Sequence, residues 1–264
     1  MTVGAVRCTG LVLAGSRGPD DPVAQHAGRR HKALVPVAGV PMILRVVRAL
    51  RAARSVQRVI LCMDDAVLTD ADPAISEELR AANTIFVPTG ATPSESVQGV
   101  MHAVPKVFPL LVTTADHPLL TPAMIDHLAD QAPAAADVAV GLATASLIRR
   151  HYPDAVRTFH RFAEEGYSGC NLFLLRTEAA ANAAAFWSAM ERHRKRPWRL
   201  VAAVGPVTLA RFLLGRLSLE AALVKLSDLT GARIAAVVMP FAEAAIDVDK
   251  PADLALAEAI LARR

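Results

Sequence analysis

Short apolar runs alternate with stretches of helical period, and this alternation constrains the chain more than any other feature of its sequence. Leu11-Val12-Leu13 reads as a buried strand. In residues 42–53 the apolar positions Ile43, Val46, Val47 and Leu50 recur at helical spacing. Residues 59–63 form the next apolar run, residues 75–82 a helix and residues 84–87 a short strand. A helix begins at Ser94, with Ser94 or Thr92 as its cap. Residues 110–114 read as a central strand, a helix follows from Ala123, and residues 138–142 make another strand. Strands separated by helices predict a mostly parallel sheet covered on both faces.

The second half is looser. Residues 156–162 alternate, and residues 166–171 lead into a strand at 172–175. Residues 177–230 read as helical, with breaks near Pro197, Gly205-Pro206 and Gly215. Residues 234–239 form a strand closed by 245–251, and a last helix runs to the end. No repeat or low-complexity linker divides the 264 residues, so one domain is expected. Residues 177–230 stand out within it as a helical insertion or lid.

The first apolar run opens into Ala14-Gly15-Ser16-Arg17-Gly18, small residues around one arginine. A polar loop follows to Arg29-Arg30-His31-Lys32, and Gly39-Val40-Pro41 starts a helix with proline in its first turn. Small residues after a strand let backbone N–H groups approach a phosphate closely. Arg17 and Lys32 add mobile positive charge, so the stretch reads as an anion site. A surface loop with scattered bases is the plainer alternative.

Two carboxylate positions suit that site. Asp116 follows the central strand, and open α/β sheets bind ligands at the carboxyl ends of their strands. A carboxylate there can hold a divalent cation against phosphate oxygens; its plainer role is a helix cap. Asp247 and Asp249 lie two apart, on one face if their segment is a strand.

These motifs resemble the nucleotide-binding signature of the MobA-like and sugar-phosphate nucleotidyltransferases. Leu13-Ala14-Gly15-Ser16-Arg17 and residues 32–42, Lys-Ala-Leu-Val-Pro-Val-Ala-Gly-Val-Pro-Met, carry the likeness. The turn is about one glycine shorter than the family pattern, the insert of residues 18–30 is longer, and His31 replaces the usual proline. The resemblance implies a Rossmann-like three-layer α/β/α fold of the nucleotide-diphospho-sugar transferase type. It implies transfer of a nucleoside monophosphate from a nucleoside triphosphate to a phosphorylated acceptor, with Mg²⁺ as cofactor and pyrophosphate released. Arg17 and Lys32 then take the catalytic roles, and Leu13, Ala14, Gly15 and Ser16 the nucleotide.

Asp116 in Asp-His-Pro-Leu-Leu-Thr and Asp249 in Asp-Lys-Pro-Ala-Asp-Leu match the family's metal ligands, with Asp247 an additional one; Asp253 is expected as a first-turn helix residue. Residues 94–104 resemble the segment flanking the nucleobase, which makes Thr89 and Ser96 candidates for base or ribose contacts; capping is their alternative role. Asn171 matches the acceptor-side strand entry. His102, His117, His127 and His151 show no zinc spacing.

A glycosyltransferase of the related A-type fold is the alternative enzyme, with Asp247-Val248-Asp249 as its metal triplet. A catalytically inactive nucleotide-binding protein is the alternative outside enzymes.

A net charge of +4 suits an anionic substrate without requiring nucleic acid. Cys8, Cys62 and Cys170 lie far apart and read as reduced thiols of a cytoplasmic protein. Residues 192–199 concentrate the bases around Trp198, ahead of the apolar residues 200–214. That is the pattern of a peripheral contact with an anionic membrane, or of a solvated helix end before a core helix. On the former reading the acceptor is lipid-linked.

Overall fold

The computed structural model describes residues 6–15, 20–81, 84–192 and 205–264. Its strands in chain order are β1 (Cys8–Leu13), β2 (Pro36–Val37), β3 (Val40–Pro41), β4 (Val56–Cys62), β5 (Thr84–Val87), β6 (Leu110–Thr114), β7 (Val138–Thr144), β8 (His160–Arg161), β9 (Gly166–Leu175) and β10 (Ile234–Val238).

The main sheet runs β10-β7-β9-β6-β1-β4-β5, with β8 beside β9; β2 and β3 form a separate ribbon. The pairs β1/β4, β4/β5, β1/β6 and β7/β10 are parallel, and β9 runs antiparallel to β6, β7 and β8. The strand order reverses at β1, so a crevice opens where β1 and β6 diverge, beyond the paired residues Leu13 and Thr114.

Period-two alternation builds the two cores. Val12, Leu61 and Leu111 face one layer, with Ile43, Val46, Val47 and Leu50 of the helix Met42–Ala52. Met124, Ile125 and Leu128 of the helix Pro122–Gln131 join them. Leu11, Ile60, Leu110 and Val112 face the other layer, with Val97 and Val100 of the helix Pro93–Ala103. The result is a Rossmann-like three-layer α/β/α sandwich, as the alternating runs require.

A third apolar cluster supports the crevice from outside the sheet. Val35, Val37, Leu119, Ile246 and Val248 pack with Leu254, Ala257 and Ile260 of the helix Pro251–Leu261. Val23 joins them from a helix, Pro22–His26, capped by Asp21. This corrects the expected polar loop at 18–30. Val23 and Ala24 are buried, and so short a helix shows no period in the sequence.

Other boundaries shift for physical reasons. Pro41 precedes the helix and pairs in the β2/β3 ribbon, so the first turn begins at Met42. Helix starts fall one or two residues early, at Pro73, Pro93 and Pro122, because proline fits a first turn. Thr92, not Ser94, caps the helix Pro93–Ala103, accepting from Glu95 N. The alternation at 156–162 yields only the two residues of β8. Residues 246–248 join no strand; Ile246 is extended, and Val248 N donates to Asp116 O at 2.8 Å.

Within 177–230 the helices Ala180–Arg192, Pro206–Leu213 and Leu219–Thr230 are described, and the breaks fall at Gly205 and Gly215. The basic patch with Trp198 and the break at Pro197 lie outside the described residues. Among the described residues no helix is long and apolar enough to cross a membrane. The three cysteines are buried and unpaired.

Candidate active site

Four segments distant in sequence meet at the mouth of the β1/β6 crevice. The short helical turn Lys32–Leu34 follows the capped helix Pro22–His26 and carries Lys32 inward. Ala33 and Leu34 are buried in the core, which fixes the direction of the turn. His31, in the place of the family's proline, bonds Asp70 at 3.0 Å through Nε2 and ties the turn to the helix Asp65–Asp70.

Lys32 Nζ donates to Asp116 Oδ2 at 2.6 Å and to Asp249 Oδ1 at 3.0 Å, bridging the two carboxylates. Burial pulls the lysine pKa down, but the charges and hydrogen bonds of Asp116 and Asp249 outweigh it and hold the pKa above 10.5. Thr114 Oγ1, at the end of β6, donates to the other oxygen of Asp116 at 2.6 Å. His117 lies wholly buried behind, its pKa lowered to about 4 by desolvation, so it is neutral at pH 7.

Asp247 and Asp249 reach the crevice because Ile246 and Val248 do not. Both apolar residues are fully buried, contributing about 1.5–3 kcal/mol each, and extended backbone then turns the alternate carboxylates outward. Ligand oxygens of Asp116, Asp247 and Asp249 lie within 4.8 Å of one another, the only such group among the described residues. Three carboxylates are the hard oxygen donors that Mg²⁺ or Ca²⁺ prefers.

Arg157 and Asn171 set the orientation of Asp247. Arg157 Nη1 bonds Asp247 Oδ1, and Nη2 donates to the Asp247 carbonyl at 2.8 Å and to Asp253 Oδ1 at 2.6 Å. Asn171 Nδ2 donates to Asp247 Oδ2 at 2.7 Å. Burial, reinforced by Asp116 and Asp249, still leaves the Asp247 pKa above its usual 3.8. Asp253 is more than a first-turn residue: its Oδ2 accepts from Lys250 N at 2.9 Å and Asp249 N at 3.1 Å, which fixes the backbone under Asp249. Counting formal charges, Asp116, Asp247, Asp249 and Asp253 against Lys32 and Arg157 leave −2, the deficit a divalent cation neutralises.

Asn171 reaches Asp247 through a bulge. Val140 pairs with Phe173 and Leu142 with Gly169, so β9 has extra residues opposite Gly141, and Asn171 takes φ 47°. Asparagine tolerates this left-handed conformation better than most residues, and bulges beside active sites re-aim side chains in this way.

Leu13, Ala14 and Gly15 line the resulting cavity of about 410 Å³, together with Asp21, Lys32, Gly90, Thr92, Ser96, Asn171 and the three aspartates. Ser96 Oγ accepts from Gly90 N at 2.9 Å and donates to Thr92 O at 3.1 Å. Gly90 is required there, since a Cβ would come within 2.9 Å of Ser96 N. Thr89 does not line the cavity; its hydroxyl donates to Asp64. Ser16 and Arg17 lie outside the described residues. Sequence reasoning missed Arg157, which stands in a stretch without periodicity, 90 residues before its main partner.

The family of MobA-like NTP transferase domains matches residues 10–195. A hypothetical transferase from Thermus thermophilus shares 30% identity and superposes with a TM-score of 0.78, over 94% of this chain and all of its own. A 4-diphosphocytidyl-2C-methyl-D-erythritol synthase from Anaerococcus prevotii has the same fold at 11% identity, with a TM-score of 0.59 and coverage of 98% and 97%. A CMP:2-keto-3-deoxy-manno-octonic acid synthetase complexed with CTP does so at 16% identity, with a TM-score of 0.55 and 98% of both chains covered. No curated protein sequence matches significantly.

Proposed function

The chain belongs to the MobA-like NTP transferase family and is a nucleotidyltransferase, and from that premise we propose a Mg²⁺-dependent transfer to a phosphorylated small-molecule acceptor. The observation that carries this reading is Lys32, whose ammonium bridges Asp116 and Asp249 at the strand-order reversal.

The acceptor phosphate is already ionised at neutral pH, so its oxygen attacks the α-phosphorus of the triphosphate without a general base. The new P–O bond forms as the α–β anhydride bond breaks, and pyrophosphate leaves with the electron pair. Catalysis is then positioning and charge neutralisation. Leu13, Ala14 and Gly15 offer a close backbone approach to the triphosphate at the end of β1. Lys32 follows the phosphate charge as it develops, with Arg17 as its partner. Asn171 and Arg157 hold Asp247 on the acceptor side. Asp116, Asp249 and Asp247 would hold Mg²⁺, which would supply further positive charge at the phosphate oxygens.

A thermal-shift screen of the four nucleoside triphosphates with Mg²⁺ tests the donor. One triphosphate is expected to stabilise the protein strongly, and Asp116→Asn with Asp249→Asn to abolish the shift. No shift with any triphosphate, or equal shifts in the doubly substituted protein, would overturn the proposal.

A further inference from the structure

A second, larger cavity adjoins the first. It measures about 780 Å³ and lies between the sheet, at β7 and β9, and the three helices Ala180–Arg192, Pro206–Leu213 and Leu219–Thr230. Val140, Leu142, Phe162, Phe173, Leu209 and Phe212 are among the residues that line it. Leu13, Pro93, Thr114 and Asn171 border both cavities, so the apolar space opens directly onto the carboxylate site.

The covering helices differ from core helices. Pro206–Leu213 has no buried residue, and Leu219–Thr230 has only Thr230. Beneath them Val140, Leu142 and Phe173 remain half-buried, although their strands are interior to the sheet. Protein interiors are normally close-packed, so apolar helices spanning a void over apolar strands form a space for a ligand. Its volume falls within the range of small-molecule sites, and is about five times the ~150 Å³ apolar cavity that admits benzene. A lining this apolar favours a hydrocarbon over a sugar or a second phosphate as the main occupant.

We infer that this cavity holds a hydrocarbon chain of the acceptor, whose phosphate head lies at Asn171, beside the Mg²⁺ that the three aspartates would hold. The inference rests on the nucleotidyl-transfer reading and names its acceptor class: an alkyl or isoprenoid phosphate. The helix over the cavity also exposes Val207 and Leu213, and its cap Leu214, an apolar exterior suited to a molecule drawn from a lipid phase.

The test is calorimetric titration of the full chain, in millimolar Mg²⁺, with inorganic phosphate, butyl phosphate and octyl phosphate below micellar concentrations. Triphosphate binding with Mg²⁺ is measured separately on the same preparation. Each methylene entering the cavity strengthens binding about fourfold, so affinity is expected to rise roughly two-hundredfold from butyl to octyl, at one site. Ala222→Phe, which places a ring in the cavity, is expected to weaken octyl phosphate at least tenfold and to leave inorganic phosphate within twofold. If that variant does not fold, the chain-length series on the native protein decides alone. A rise below tenfold, or several equivalent sites, overturns the inference while normal triphosphate binding leaves the enzyme reading standing. A steep series without any triphosphate binding overturns the acceptor assignment through the enzyme reading itself.

Discussion

Lys32 joins two carboxylates that would otherwise repel each other across the crevice. Its raised pKa means that the stabilisation is fully present below the unfolded value of 10.5 and is lost as pH climbs through the folded value. Lys32→Met is expected to destabilise the metal-free protein by about 1–3 kcal/mol, because Asp116 and Asp249 lose their shared cation. Millimolar Mg²⁺ should raise the melting temperature of the variant more than that of the native protein. Equal responses to Mg²⁺ would mean that Lys32 and the cation do not share the carboxylates. Turnover by the variant, read as pyrophosphate release, should fall ~10²–10³-fold. Lys32, Asp116 and Asp249 were legible in sequence because each stands in a short motif tied to a strand end or a helix start. Arg157 was not, since a long-range ion pair leaves no local pattern. The hydroxyls of Thr89 and Ser96 were legible as polar groups near the turn, but their bonds to Asp64, Gly90 and Thr92 follow from the folded loop.

Strand β9 shows what one element contributes beyond pairing. Its bulge puts Asn171 in a left-handed conformation and aims the amide at Asp247. Asn171→Ala and Asn171→Gly separate the two effects. Both remove the bond to Asp247 and should lower kcat/KM at least tenfold. Glycine accepts φ 47° without a steric penalty, so the Gly variant should be about 0.5–1 kcal/mol more stable than the Ala variant in urea unfolding. The reverse order would show that the bulge relaxes when the side chain is lost. Residues 172–175 announced this strand by their apolar run. Its first half, from Gly166, was hidden because a bulge interrupts the alternation that marks a strand. The helix Pro22–His26 was hidden for the opposite reason, being too short to show any period.

Across the whole molecule the sheet was legible because its central parallel strands, β1 and β6, are covered on both faces and read as short apolar runs. What joins its far edge is polar and was not. Asp137, ahead of β7, accepts from Arg233 N at 2.8 Å, Arg233 Nε at 3.1 Å and Thr177 Oγ1 at 2.8 Å. It thereby ties the starts of β7 and β10 to the end of β9. The Arg233 guanidinium and backbone N–H hold this carboxyl well below its usual 3.8. Its contribution is therefore present above that value and is lost as pH falls toward the folded pKa. Acid unfolding should be steeper in the native protein below about pH 4 than in Asp137→Asn, as followed by circular dichroism; parallel curves would exclude this carboxyl as the acid-sensitive tie.

The bond from Val248 N to Asp116 O has an implication for synthesis. Asp247 and Asp249 come 131 and 133 residues after Asp116, when most of the sheet has already left the ribosome. A nascent chain halted before residue 247 carries all ten strands described above, yet holds one carboxylate of three. Competence for the cation therefore arrives as a late, single event in translation, after β10 and before the closing helix.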